Sequence, residues 1–449
     1  ADAAGVPVLE AKVALQRAAK AEYDGDFEAV VTEASRAREL ADASGETELV
    51  ISALTWIASI QGSRGDVSAD ELHQQAWELT RGMPLTQSVV EARQLWAMTL
   101  LFRGDVAGAL REIVPLRAAV EREGTLRELA RVLISFAAIH ARAGRAGTAL
   151  AAGRRCAQLI EDVETTPGFG MVVGAFMEAL GGSVEAALRY AERAIAATED
   201  AGNTELLHVA LFTAGQVQLL AGDPATAVDL MRRARAIELR HGYVDPAIIM
   251  WHGDFAEALV AAGHRQEAAE LIADIRGKAE LMHRQVVMLG LARVEALVNA
   301  AAGDSRTAAD ELRRTLDKHA DHPYPLDVAR CYLTLGVLER RAHRRSAARE
   351  ALTEAEERYG TAAAAPWVGV VRAELARLDG GRAGGELSDT EQRIVELVRA
   401  GATNREIAGT LFLSVKAVEA NLTRLYRRLG VRNRTQLVRA LDGAVPAAD

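Results

Sequence analysis

Val418, Leu422, Leu425 and Leu429 fall at spacings of 4, 3 and 4 near the end of the chain. That stripe predicts one buried helix face, with Lys416, Glu419, Ala420, Thr423, Arg424 and Arg427 on the opposite side. Upstream, helical patterns are punctuated at a regular interval. The breaks are Gly25, Gly65, Gly104, Gly144, Gly181, Gly222, Gly263 and Gly303, with His343 continuing the series. Successive separations are 40, 39, 40, 37, 41, 41, 40 and 40. Nine copies at one period predict a stacked repeat array.

Each copy has a physical logic. A glycine ends a helix where a left-handed residue is needed. In five copies an aspartate follows (Asp26, Asp66, Asp105, Asp223, Asp304), placed to cap the next helix. Pro224 suits the first position of such a helix. Ala109, Ala149, Ala186, Ala227, Ala268 and Ala308, five residues past the breaks, let paired helices approach closely. A second glycine series, Gly45, Gly124, Gly202 and Gly242, falls about midway. Each repeat is therefore two antiparallel helices, and nine such hairpins bury a continuous core. The repeat resembles tetratricopeptide superhelices, with a period longer than the 34 residues of that unit. A solenoid of this kind offers a concave face for a ligand or protein; periodicity alone does not say which.

The pattern changes after Tyr359, where "GTAAAAPW" interrupts it and Pro366 restarts a last helix to about Leu378. Four glycines in "DGGRAGGE" mark a linker. The expected organisation is a solenoid over 1–378, a linker over 379–386, a small helical domain over 387–443 and a tail over 444–449.

Composition supports an all-α chain: 49% of residues are apolar and only 4% aromatic, which leaves little material for sheets. Charge separates the two parts. Residues 386–443 hold 10 Lys+Arg against 7 Asp+Glu, a balance of +3 that leaves −12 on the rest for a total of −9. A basic tail on an acidic body suits a nucleic-acid module attached to a protein- or ligand-facing body. Cys156 and Cys331 sit far apart in helical patterns and read as core residues of a reducing compartment. The longest apolar run, "VLISFAAIHA" (132–141), is too short to span a bilayer. With no signal peptide visible, a cytoplasmic protein without membrane association is expected. The tryptophans Trp56, Trp77, Trp96, Trp251 and Trp367 read as core fillers. His319 and His322 in "KHADHPYP" read as part of an inter-helix loop, with a metal site as the remote alternative.

Helix starts in the small domain are explicit. Ser388 with Glu391, and Thr403 with Glu406, form capping-box patterns. Ser414 is placed to cap the third helix, and Asn433 with Gln436 the fourth; Gly401 and Gly430 fall where helices stop. Only a Leu413–Ser414 turn separates the second and third helices, which makes a helix-turn-helix. The motifs "NREIA", "VEANL" and "YRRLGVRNR" closely resemble the LuxR-type helix-turn-helix domain, and the resemblance covers 387–443. It implies double-stranded DNA as partner, with the third helix in the major groove and dimerisation through the fourth, here 433–441. It assigns base reading to Glu419, Ala420 and Thr423, and phosphate contacts to Lys416, Arg424, Arg427 and Arg434. Thr403, Asn404, Arg405, Glu406, Ser414 and Asn421 complete the helix-turn-helix.

Three positions depart from the family pattern. The family often has Lys where Glu419 stands, His at Asn421, and Thr or Ser at Ala417. A glutamate does not neutralise phosphate but accepts a hydrogen bond from cytosine N4. Asn421 either reads adenine or supports the turn. These changes bear on the operator sequence more than on binding.

The solenoid joined to this domain is similar to the C-terminal part of the large ATP-binding LuxR regulators. Those carry a nucleotide-binding domain, yet no G-x-x-x-x-G-K-[ST] is present and the sole Gly-Lys pair is Gly277–Lys278. Either an ATPase precedes Ala1 or the protein works without ATP; no cofactor is expected in this chain. The expected function is a transcriptional activator, homodimeric on DNA and contacting RNA polymerase, whose solenoid senses a small molecule or protein. A protein-interaction adaptor with secondary DNA binding is the alternative. No catalytic triad, metal cluster or phosphate loop points to an enzyme.

Overall fold

A computed structural model describes residues 5–23, 25–163, 167–319, 321–379, 389–411, 413–428, 433–434 and 436–437. Among the described residues the chain forms 22 helices and no strand. It divides into two compact units, Ala1–Leu378 and Asp379–Asp449. No helix among the described residues is long and apolar enough to cross a membrane.

The first unit is nine antiparallel hairpins. The first four pair α1 (Gly5–Tyr23) with α2 (Phe27–Ser44), α3 (Thr47–Ser63) with α4 (Ala69–Leu79), α5 (Gln87–Phe102) with α6 (Val106–Glu123), and α7 (Leu126–Arg142) with α8 (Ala146–Val163). Next come α9 (Phe169–Gly181) with α10 (Val184–Asp200), and α11 (Thr204–Ala221) with α12 (Pro224–His241). The last three pair α13 (His252–Ala261) with α14 (Arg265–Leu281), α15 (Gln285–Ala301) with α16 (Ser305–Lys318), and α17 (Pro325–Arg341) with α18 (Arg345–Thr361). A single helix, α19 (Ala365–Leu378), follows. The C-terminal unit holds α20 (Asp389–Arg399), α21 (Asn404–Thr410) and α22 (Val415–Arg428).

Eight of the nine expected breaks are left-handed, His343 included at φ 60°. The fifth is not. Gly181 remains inside α9, and a Cβ there would lie 3.1 Å from the Ala146 carbonyl oxygen, so close approach is what requires glycine. The chain turns at Gly182 instead, and the helix-spacing alanine shifts with it from half-exposed Ala186 to buried Ala187. The corresponding Ala109, Ala149, Ala227, Ala268 and Ala308 are all buried as expected. Asp26, Asp105, Asp223 and Asp304 each accept a hydrogen bond from a first-turn amide. Asp66 differs: α4 begins three residues later, and its carboxylate accepts from the Ser68 amide and hydroxyl. Gly124 is extended, because Thr125 and Glu128 form a capping box directly behind it.

Hairpins far apart in sequence also touch, so successive turns of the solenoid lie against one another. The Val244 amide donates to the Ser63 carbonyl (2.7 Å), the Tyr324 hydroxyl to the Leu101 carbonyl (2.5 Å), and the Ala146 amide to the Ala362 carbonyl (2.9 Å). Buried Arg284 binds Asp70 (3.0 Å) and Asp245 (2.7 Å), spanning 214 positions to the former. Residues 242–251 leave the helical pattern to make part of this seam. Cys156 and Cys331 are buried free thiols, and burial pushes both up to about 12. Trp96 and Trp251 are core residues, whereas Trp56, Trp77 and Trp367 are half-buried. His319 lies 2.9 Å by its Nδ1 from the Thr315 carbonyl, and His322 accepts from the Tyr324 amide.

Candidate functional site

In the C-terminal unit, Val418, Leu422 and Leu425 of α22 pack with Ile394, Val395 and Val398 of α20 and with Ile407 and Ala408 of α21. Burying one stripe fixes which side of α22 meets solvent. Leu429 lies outside the described residues. The helix-turn-helix is set by local chemistry. The Thr403 hydroxyl accepts from the Glu406 amide (3.4 Å), and the Glu406 carboxylate accepts from the Thr403 amide (2.6 Å). The Thr403 amide and then its hydroxyl, both donating to the carboxylate, hold the Glu406 carboxyl below its ordinary range. Ahead of α22, the Ser414 hydroxyl accepts from the Ala417 amide at 3.1 Å. The amide of Leu413 closes on the Ala408 carbonyl (2.9 Å), which tightens the turn.

Lys416, Glu419, Ala420 and Thr423 are all exposed on α22. The Thr423 hydroxyl donates to the Glu419 carbonyl (2.9 Å), which leaves its lone pairs outward. Asn421 is half-buried and its amide donates to the Ala417 carbonyl (2.8 Å), the placement of a supporting residue. Asn404 is half-buried and Arg405 exposed. Arg424 and Arg427 belong to the helix, but their side chains lie outside the described residues, as do Ser388 and the side chain of Glu391. Of the expected fourth helix only 433–434 and 436–437 are described; there the Asn433 side chain accepts from the Gln436 amide (2.9 Å).

Arg434, expected at phosphate, also makes contacts within its own unit. Its half-buried guanidinium turns inward and donates to the carbonyls of Ala402 (2.5 Å) and Val398 (3.3 Å). The Val398 carbonyl also accepts from the Gly401 amide, so Arg434 ties the turn after α20 to the residues around 434. A helix of α22's 14 residues, about 21 Å long, with one polar exposed face can lie in a major groove about 12 Å wide.

The solenoid holds a second feature that motif reading misses, a partly open cavity of about 190 Å³ lined by residues from α7 to α19. Arg330 and Trp367 belong to its wall, and the guanidinium lies 4.1 Å from the indole centroid. Mid-helix Gly290, which belongs to no repeat break, is the sequence signal that could have pointed here.

Comparison with known proteins bears on each unit separately. Residues 385–441 match the family described as "Bacterial regulatory proteins, luxR family", and this segment is a LuxR-type helix-turn-helix domain. A helix-turn-helix-type transcriptional regulator of Mycobacterium tuberculosis is 44% identical over 57 residues, 13% of this chain and 6% of the relative. The CsgBAC operon transcriptional regulatory protein of Escherichia coli is 42% identical over 52 residues, 12% of this chain and 24% of the relative. This chain therefore matches only a small share of these relatives' lengths. The solenoid shares its fold with a Rap protein solved in complex with Competence and Sporulation Factor. That likeness has a TM-score of 0.51 at 13% identity and covers 84% of this chain and all of the other.

Proposed function

We propose that the protein is a sequence-specific DNA-binding transcriptional regulator whose solenoid governs when the C-terminal unit engages DNA. One observation carries the reading. Lys416, Glu419, Ala420 and Thr423 share the exposed side of a helix whose opposite side is locked into the core behind a capped, tight turn. In such a motif the second helix enters the major groove by its N-terminal half, where Lys416 meets phosphate and Glu419, Ala420 and Thr423 meet base edges. Activation through RNA polymerase, homodimerisation on two half-sites, sensing by the solenoid, a cytoplasmic setting and the absence of catalysis belong to this same reading.

Lys416→Ala tests it by fluorescence anisotropy of the full chain on labelled duplexes across a salt series. Loss of one phosphate contact weakens binding to all sequences alike and lowers the salt slope by about 0.9. Unchanged affinity and slope would remove α22 from the interface.

A further inference from the structure

The partly open cavity of the solenoid is built rather than left over. Gly290 lies within α15 and Gly253 in the first turn of α13, and both line it. Neither needs to be glycine for its backbone, since neither is left-handed. A Cβ on Gly290 would meet nothing within 4 Å, and one on Gly253 would make only ordinary contacts at 3.8 and 3.9 Å. Glycine inside a helix weakens it relative to alanine, and the removed volume is what both positions have in common. Phe176, Leu180, Val217, Leu220, Val287 and Leu291 give the wall its apolar character.

The charges at this wall cancel. Arg330 donates to Asp254 (3.0 Å) and Glu257 (2.7 Å), Arg293 to Glu257 (2.6 Å), and Arg142 pairs with Asp327 at 3.6 Å. Three guanidinium groups of the lining are thus paired with two lining carboxylates, Asp254 and Asp327, and with Glu257, which is not itself in the lining. Burial works against the charge on Glu257, but Arg330 and Arg293 outweigh it and hold the carboxyl down to about 2. A charged guest would have to break a pair whose partner then lies buried and uncompensated. Among the described residues, the Tyr359 hydroxyl, Gln216 Oε1 and His252 Nδ1 have no hydrogen-bond partner, and all three side chains belong to the lining. They leave hydrogen-bonding capacity at the wall for a polar group of a guest.

We infer that this cavity binds a compact, uncharged, mainly apolar molecule bearing a hydroxyl- or amide-sized polar group. Apolar cavities of about 150 Å³ accept benzene, which sets the scale of the guest. The inference gives chemistry to the sensing role proposed above and rests on that reading only for its purpose.

The test uses the full chain and three probes of nearly equal shape: benzyl alcohol, benzoate and benzylammonium, titrated by calorimetry. Benzyl alcohol binds saturably, at least tenfold more tightly than either ion. Gly290→Leu, which fills the open space, weakens it at least tenfold; Gly290→Ala weakens it less and does not lower the melting temperature. Absence of saturable binding, equal binding of the ions, or unchanged binding by both glycine variants overturns the site. DNA affinity measured with and without benzyl alcohol separates the two claims. Lack of an effect on DNA with intact binding overturns the sensing role and leaves the site standing.

Discussion

The two units use their charged side chains in opposite ways. In the solenoid, guanidinium groups are drawn inward and consumed: Arg284 joins Asp70 to Asp245 between turns, and Arg330 and Arg293 share Glu257 at the cavity wall. In the C-terminal unit, Lys416 and Glu419 stand exposed on a helix held in place by aliphatic packing and caps. The contrast teaches that charge in a repeat array can fix how turns meet, while charge on the exposed face of α22 is left at the surface. Arg434 breaks the division, being a tail arginine spent inside its own unit.

The largest test of that contrast is Arg284→Ala. It strands Asp245, whose side chain is fully buried, beside Asp70, and should cost the solenoid about 3–5 kcal/mol. Thermal unfolding reads this; a loss below about 1 kcal/mol would mean that the inter-turn pairs do little.

Titration sharpens the comparison next, because all ten histidines lie in the solenoid. Burial pulls His73, His140 and His208 down to about 4. As pH falls below their ordinary 6.5 the unfolded chain takes up protons first, so solenoid stability drops between pH 6.5 and 4. Glu22 opposes them. Burial, then repulsion from Glu205 and Glu91, pushes its carboxyl up to about 7, so its folded form gains stability as pH falls from 7 to 4.5. Three groups outweigh one. Denaturant melts across this range should show a falling midpoint, steeper in Glu22→Gln; a flat profile in both proteins contradicts this balance.

Arg434→Ala should have a smaller effect, about 1.5–3 kcal/mol, since charged hydrogen bonds to two carbonyls are lost. Hydrogen exchange at the end of α20 should speed up while the salt slope of DNA binding at low temperature stays as it was. A slope lower by about 0.9 with exchange unchanged would return Arg434 to the phosphates.

Much of this architecture was legible because its causes are local. A left-handed glycine followed by an N-capping aspartate specifies a hairpin turn within a few residues, and the period then repeats it. Thr403 with Glu406, and the stripe through Val418 and Leu422, are equally local. The rest depends on partners distant in sequence. Nothing periodic records that Arg284 reaches Asp70 across 214 positions, that Gly181 serves close approach, or that residues 242–251 leave the helical pattern at a seam. The sequence shows an arginine at 434 but not that its guanidinium turns toward Ala402.

The central claim is that the exposed face of α22 reads DNA, and Glu419 is where it is most open to contradiction. The direct measurement is selection of duplexes from a random library by the full chain and by Glu419→Lys. The parent should enrich one sequence with cytosine specified opposite Glu419, and the variant should bind all duplexes more tightly with that position relaxed. The same enriched sequence at the same affinity for both proteins would contradict the claim.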